Sequence, residues 1–219
     1  MALETNEQFL SAKLLDYIKS HTDAEDEFLA RLRADAQAAG IPSISIGFPQ
    51  SSLLQILLRL GRARDVVEIG TLAGYSAIVM ARALGQGGRV LSFELDPRRA
   101  EFARRKIAES DVAGRIEVRC GDARALLKPL RAGSIDAVFV DADKASYPYY
   151  LQECSRLLRP SGVALFDNGF AFGQLFDAQP TDSEAPAVKA FNDVLASDPR
   201  FHSYLIPTGD GMWVAVRRS

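Results

Sequence analysis

Cysteine, histidine and tryptophan are scarce here: two, two and one among 219 residues. Cys120 and Cys154 lie far apart with neither CxxC nor Cys/His spacing, so no disulfide framework or metal knuckle is implied, and both read as small buried apolar residues. His21 and His202 likewise lack ligand spacing. Charge of one sign is also missing. With 26 basic and 28 acidic residues interspersed and a net charge of -2, no global field recruits nucleic acid or an anionic membrane, and a small-molecule ligand is the better expectation. No apolar run is long enough to span a bilayer. Residues 1–20 break their apolar positions with Glu4, Glu7, Lys13 and Asp16, which excludes a signal-peptide core, so a cytoplasmic location is expected. Repeats, low-complexity tracts, linkers and a GxGxxG fingerprint are absent as well. What remains is a chain that is 47% hydrophobic, of a size expected for one α/β domain over 1–219: a helical cap over 1–60 and a sheet core over 61–219.

Five apolar, β-branched runs alternate with helical patterns: Asp65 to Ile69, Arg89 to Glu94, Arg115 to Cys120, Ile135 to Asp141 and Gly162 to Asp167. Such alternation predicts βαβ units in a parallel sheet with right-handed crossovers. The intervening spacing predicts helices over Tyr75 to Leu84, Arg98 to Ser110, Ala123 to Leu130 and Tyr147 to Leu158, the last ended by Arg159-Pro160-Ser161-Gly162. After a helix from Ala185 to Ala196, Phe201 to Ile206 and Met212 to Val216 flank a Gly-rich turn and predict an antiparallel hairpin, making seven strands in all. Ahead of the sheet, helices are predicted from Glu4 to Ser20, Asp23 to Ala39 and Ser51 to Leu60, with a turn-rich stretch from Gly40 to Pro49.

Two strands end in oxygen ligands, as Val138-Phe139-Val140-Asp141-Ala142-Asp143-Lys144 and Val163-Ala164-Leu165-Phe166-Asp167-Asn168. On neighbouring parallel strands about 4.8 Å apart, Asp141, Asp167 and Asn168 converge on one hard cation, with Lys144 beside it as a titratable amine. Isolated, such an acidic ending simply caps a turn or the next helix, as Asp143 would for the helix after Ser146. The second ending, with an amide beside it, makes a site the better reading. Three further strand ends suit a nucleoside. Glu68-Ile69-Gly70-Thr71-Leu72-Ala73-Gly74-Tyr75-Ser76 is a glycine-bearing turn at a helix start, with GxxxG spacing that disfavours a pyrophosphate. Glu94 is placed to accept from both hydroxyls of a ribose, and Gly121-Asp122-Ala123 to meet an adenine edge.

The series EIGTLAGYS, FELD, GDA, VDADK and FDN, in this order, resembles the cation-dependent class I O-methyltransferases, the group of catechol and caffeoyl-coenzyme A O-methyltransferases and their bacterial relatives. The resemblance spans nearly the whole chain, including the ending FNDVLASDPRF and GDGMWVAV. It implies a Rossmann-like doubly wound fold, S-adenosylmethionine as methyl donor, and a homodimer. It places Ile46, Glu68, Gly70, Thr71, Leu72, Gly74, Ser76, Glu94, Asp122, Ala123, Asp141 and Asp143 around the donor. Asp141, Asp167 and Asn168 fall on the metal ligands and Lys144 on the general base. Two departures stand out. Relatives often continue from Asp-Asn through an aliphatic, tryptophan-containing loop, whereas here Gly169-Phe170-Ala171-Phe172-Gly173-Gln174 follows, and its two phenylalanines suit either a wall for a planar substrate or packing under the cap. Ser51-Ser52 also stands where a Gly-Gln pair is frequent.

Methyl transfer needs an electron-rich oxygen, yet a phenol with a pKa of about 10 is mostly protonated at neutral pH. A divalent cation stabilises the anion and orients a vicinal diol, and two carboxylates with one amide suit Mg²⁺ first, with Mn²⁺ or Ca²⁺ as alternatives. Lys144 near that cation has its ammonium form disfavoured and is able to take the first proton. The expected activity is therefore metal-dependent O-methylation of a catechol-like or other vicinal-diol small molecule. Alternatives are O-methylation of a hydroxylated tRNA nucleoside, against which the absent basic face argues, and a non-catalytic nucleoside-binding module, which leaves Asp141, Lys144, Asp167 and Asn168 without a task.

Overall fold

A computed structural model describes residues 12–22 and 24–219. The strands are β1 (Asp65–Ile69), β2 (Arg89–Glu94), β3 (Ile116–Cys120), β4 (Ile135–Val140), β5 (Leu158–Phe166), β6 (Phe201–Ile206) and β7 (Met212–Arg217), in the sheet order β3-β2-β1-β4-β5-β7-β6. The first five are parallel, and β7 runs antiparallel to both β5 and β6. Helices α1 (Ala12–Ser20), α2 (Glu27–Ala38), α3 (Phe48–Leu60), α4 (Tyr75–Ala83), α5 (Pro97–Ala108), α6 (Ala123–Leu127), α7 (Tyr147–Leu157) and α8 (Ala185–Ser197) complete the fold. The first part of the predicted helix over Glu4 to Ser20, and Asp23 at the start of the second, lie outside the described residues.

The period-two alternation of each strand sorts side chains onto two cores. Ala137, Phe139 and Leu165 face one layer with α2, α3, α4 and α5, while Val138, Val140, Ala164 and Phe166 face the other with α6, α7 and α8. Both faces being covered explains why the strands read as continuous apolar runs. Among the described residues no helix is long and apolar enough to cross a membrane.

Several boundaries differ from expectation for local reasons. Arg115 closes a 3₁₀ turn ahead of β3, and β4 ends at Val140, leaving Asp141 outside the strand. Helix α3 starts at Phe48 with Pro49 in its first turn, where proline's missing N–H costs nothing. The predicted terminator Arg159-Pro160-Ser161-Gly162 lies inside β5: Leu158 already pairs with Ile135, and the surplus residues are absorbed by a register shift with Ser161 at φ 63°. Cys120 is exposed at the end of edge strand β3, whereas Cys154 is buried as expected.

Candidate active site

The order β3-β2-β1-β4-β5 reverses direction between β1 and β4, the position where doubly wound sheets bind ligands outside their strand ends. The residues just beyond those ends are locked into one row. Gly121 N donates to Glu94 O (2.8 Å), Gly70 N to Phe93 O (2.9 Å), Asp141 N to Ile69 O (2.9 Å) and Asp167 N to Val140 O (3.1 Å). Gly70 has to be glycine, since it sits at φ +99° and a Cβ there would lie 1.9 Å from the Asp141 carbonyl oxygen. Above the row opens a cleft of about 820 Å³.

Most of the expected donor-side residues border this cleft: Ile46, Gly70, Thr71, Leu72, Ser76, Glu94, Asp122, Ala123, Asp141 and Asp143. Glu94 is nearly buried and accepts from Leu72 N (2.8 Å) and Asp96 N (3.0 Å), which fixes its carboxylate at the rim. Asp122 caps α6 through Arg124 N (2.8 Å) as well as lining the cleft. Asp143 does not cap the following turn; its carboxylate accepts from Tyr150 OH (3.2 Å).

Two residues expected around the donor are not on the wall. Gly74 is the left-handed residue ahead of α4 and packs against Ile107 and Ala103. Glu68 lies fully buried beneath the floor, where its carboxyl accepts from Ser76 and Ser92 and Ser92 in turn meets Thr71. Burial there lifts its pKa to about 8. It carries wall residues without touching the cleft.

On the far side of Asp141, the 3₁₀ turn Lys144–Ser146 brings a buried lysine to the cleft. Its Nζ donates to Asp141 Oδ1 (3.1 Å) and to Tyr147 OH (2.9 Å), while the phenol donates to the carbonyls of Val140 and Asp167 (3.2 Å each). Burial holds Tyr147 well above the ordinary phenol range, so it stays neutral and its oxygen is free to accept from Lys144. Glu184, just ahead of α8, accepts from Lys144 N (2.9 Å) and borders the same space.

Of the three expected metal ligands, Asp141 and Asn168 border the cleft and Asp167 lies behind them, nearly buried, with Gln50 Nε2 on its Oδ1 (2.8 Å). Among the described residues no three His, Cys, Asp or Glu side chains form a metal cluster; the set here is two carboxylates and an amide. Burial first, and the nearby Asp141 charge second, push the Asp167 carboxyl up. Two crowded carboxylates with an amide oxygen beside them are a donor set that fits a hard divalent cation, whose charge would offset their repulsion.

The two phenylalanines of the loop after Asn168 have different surroundings. Phe172 borders the cleft with Lys144 Nζ 6.0 Å from its ring centroid, whereas Phe170 packs against Gly211. Tyr150 also borders the cleft, Tyr149 turns outward to Arg124 O (3.2 Å), and Trp213 packs in the core with Nε1 on Asn192 (2.7 Å). On α5, Arg98, Arg104 and Arg105 are exposed and Lys106 is half-buried, while Arg99 lies at the cleft edge. Sequence reasoning missed four residues. Gln50 lies one position before the Ser51-Ser52 pair flagged as a departure, and Asp210 was passed over as a turn residue. Glu184 was hidden in a helix N-cap. Arg33 stacks 3.9 Å over Tyr75 and holds the Ile46 carbonyl against the cleft.

Fold and cleft together define a Rossmann-like methyltransferase. Residues 19–218 match the O-methyltransferase family, and the chain belongs to that family and is an O-methyltransferase. It is 34% identical over 208 residues to a catechol O-methyltransferase of Niastella koreensis, covering 91% of this chain and 94% of the relative. A catechol O-methyltransferase of Mycobacterium tuberculosis is 35% identical over 192 residues, covering 88% and 87%. The crystal structure of the Bacillus cereus O-methyltransferase in complex with SAH superposes with a TM-score of 0.84 at 30% identity, covering 94% of this chain and 97% of that one.

Proposed function

We propose that this single-domain enzyme transfers the methyl group of S-adenosylmethionine to one hydroxyl of a catechol-like or other vicinal-diol small molecule held on a divalent cation. The observation that carries the reading is the position of Asp141: one cleft runs from Gly70, Glu94 and Asp122 on one side to Lys144, Asn168 and Phe172 on the other, with Asp141 between them. The catechol-named and SAH-bound relatives support both ends.

In this reading Ile46, Gly70, Thr71, Leu72, Ser76, Glu94, Asp122, Ala123 and Asp143 bind the donor, and Asp141, Asp167 and Asn168 hold the cation, Mg²⁺ by preference for an all-oxygen set. The bound donor would supply a methyl on a positively charged sulfur, and a cation held by these ligands would lower the pKa of a neighbouring hydroxyl. Lys144 accepts the hydroxyl proton on Nζ. Asp141 and Tyr147 keep that nitrogen at the cleft, so the proton acceptor needs no rearrangement. Phe172 offers a flat apolar face to a planar acceptor beside the amine, and Ile44 and Ile46 add apolar surface to the same cleft. Glu68 and Gly74 hold this wall in place from behind.

Mass spectrometry of products from a panel of catechols and hydroxylated nucleosides, with EDTA or with added Mg²⁺, tests the proposal. Monomethylated catechol that appears only with metal is expected. Full turnover in EDTA would remove the cation from the reading, and methylation confined to nucleosides would replace the acceptor class.

A further inference from the structure

The turn between β6 and β7 meets the metal side of the cleft with three consecutive residues. Gly209 and Gly211 sit at φ +57° and +79°. A Cβ on Gly209 would lie 2.2 Å from the Gln50 amide carbon, and one on Gly211 2.9 Å from the Phe170 ring. Between them Asp210 collects donors from Asn168 and the loop that follows it. Its Oδ2 accepts from Asn168 Nδ2 (3.2 Å) and Phe172 N (2.8 Å), its Oδ1 from Gly173 N (3.0 Å), and its carbonyl from Phe170 N (2.7 Å).

Two consequences follow from elementary chemistry. A carboxylate only accepts, so Asn168 has to present its NH₂ to Asp210, and its Oδ1 then points the other way. Asn168, Ala171 and Phe172 also sit at φ 63°, 54° and 59°, a region unfavourable for alanine and phenylalanine without outside anchors. Asp210 supplies those anchors at Phe172 and Gly173.

We propose that Asp210 is a positioning residue that fixes the Asn168 amide oxygen for the cation and pins residues 169–174 with the same carboxylate, so that cation affinity and the order of the acceptor loop are coupled. This rests on the reading of Asp141, Asp167 and Asn168 as cation ligands. A loop that shapes the acceptor wall is then set only when the metal side is set.

The test is Mn²⁺ binding followed by electron paramagnetic resonance, with SAH present, on the wild type and on Asp210→Asn, whose single accepting oxygen cannot serve Asn168 Nδ2, Phe172 N and Gly173 N together and whose NH₂ only donates. Loss of a group that orients a metal ligand weakens metal binding roughly 10–100-fold, and that rise in Kd is expected, with SAH affinity within about twofold of wild type serving as the folding check. A wild type that binds no Mn²⁺ would sink the cation site itself. A wild type that binds, with D210N binding equally well while the acceptor KM rises, would leave Asp210 a loop anchor only and overturn the coupling. Hydrogen exchange on the wild type gives an answer that needs no variant: Mn²⁺ is expected to slow exchange at the Phe172 and Gly173 amides, and exchange indifferent to Mn²⁺ refutes the proposal.

Discussion

Replacing Glu68 by glutamine should flatten the pH dependence of stability. The carboxyl is fully buried, accepts from Ser76 and Ser92, and is lifted from its ordinary value of 4.5 to about 8, chiefly by burial. The native state therefore keeps a proton on Glu68 that the unfolded chain releases above about pH 4.5. With the folded value raised, the stabilisation is complete below the unfolded pKa and is lost as pH rises through the folded one, at about 1.4 kcal/mol per tenfold change in proton concentration. Between pH 5 and pH 7 this group alone should remove about 2–3 kcal/mol, or about 5–10 °C in Tm for a chain of this size. Glutamine keeps the shape and neutrality of the protonated form. The assay is urea or thermal unfolding of both proteins at pH 5, 6, 7 and 8, because the difference between them cancels every other titrating group. A gap between E68Q and wild type that does not change with pH would refute the assignment of a proton to Glu68.

Lys144→Ala should lower kcat by about 10²–10⁴ while SAH binding by calorimetry stays near wild type, because the proposed role of the amine is on the acceptor and not on the donor side. Gly70→Ala, which drives a Cβ into the Asp141 carbonyl at positive φ, should destabilise the chain by more than about 3 kcal/mol in denaturant unfolding and abolish SAH binding. Phe172→Ala should raise KM for a planar acceptor about 10-fold or more, the worth of one apolar ring face of about 1.5 kcal/mol, with KM for the donor unchanged in steady-state kinetics.

The two kinds of residue in this site differ in how visible they were in one dimension. Strands β1 and β2 begin and end where their predicted runs do, because both sheet faces are covered and Glu68 and Ser92, the polar residues inside them, are buried against each other. The strand-end residues Gly70, Glu94 and Asp141 are equally legible, since position in a βαβ unit alone brings them to the switch point. Gln50 and Asp210 are different. Gln50 reaches Asp167 across 117 residues of chain and Asp210 reaches Asn168 across 42, so no local spacing records either pair. Glu68 misled for another reason: strand alternation shows that a side chain alternates faces, but not that two serines already occupy its oxygens. The β5 start was obscured because a bulge lets proline and serine sit where a regular ladder forbids them.

The abutment of Gly70 against the Asp141 carbonyl divides the molecule into two territories with a narrow border. In the proposed reading the ends of β1, β2 and β3 carry most of the donor side, joined by Asp143 after β4, and the ends of β4 and β5 with the β6–β7 turn carry the acceptor side. Diversification confined to 169–183 and to the neighbours of Asp210 therefore leaves the row of strand-end hydrogen bonds intact. For a protein engineer the proposed reading makes the chain a fixed donor cartridge beside an exchangeable acceptor face, with Asp141 as the residue that both sides share.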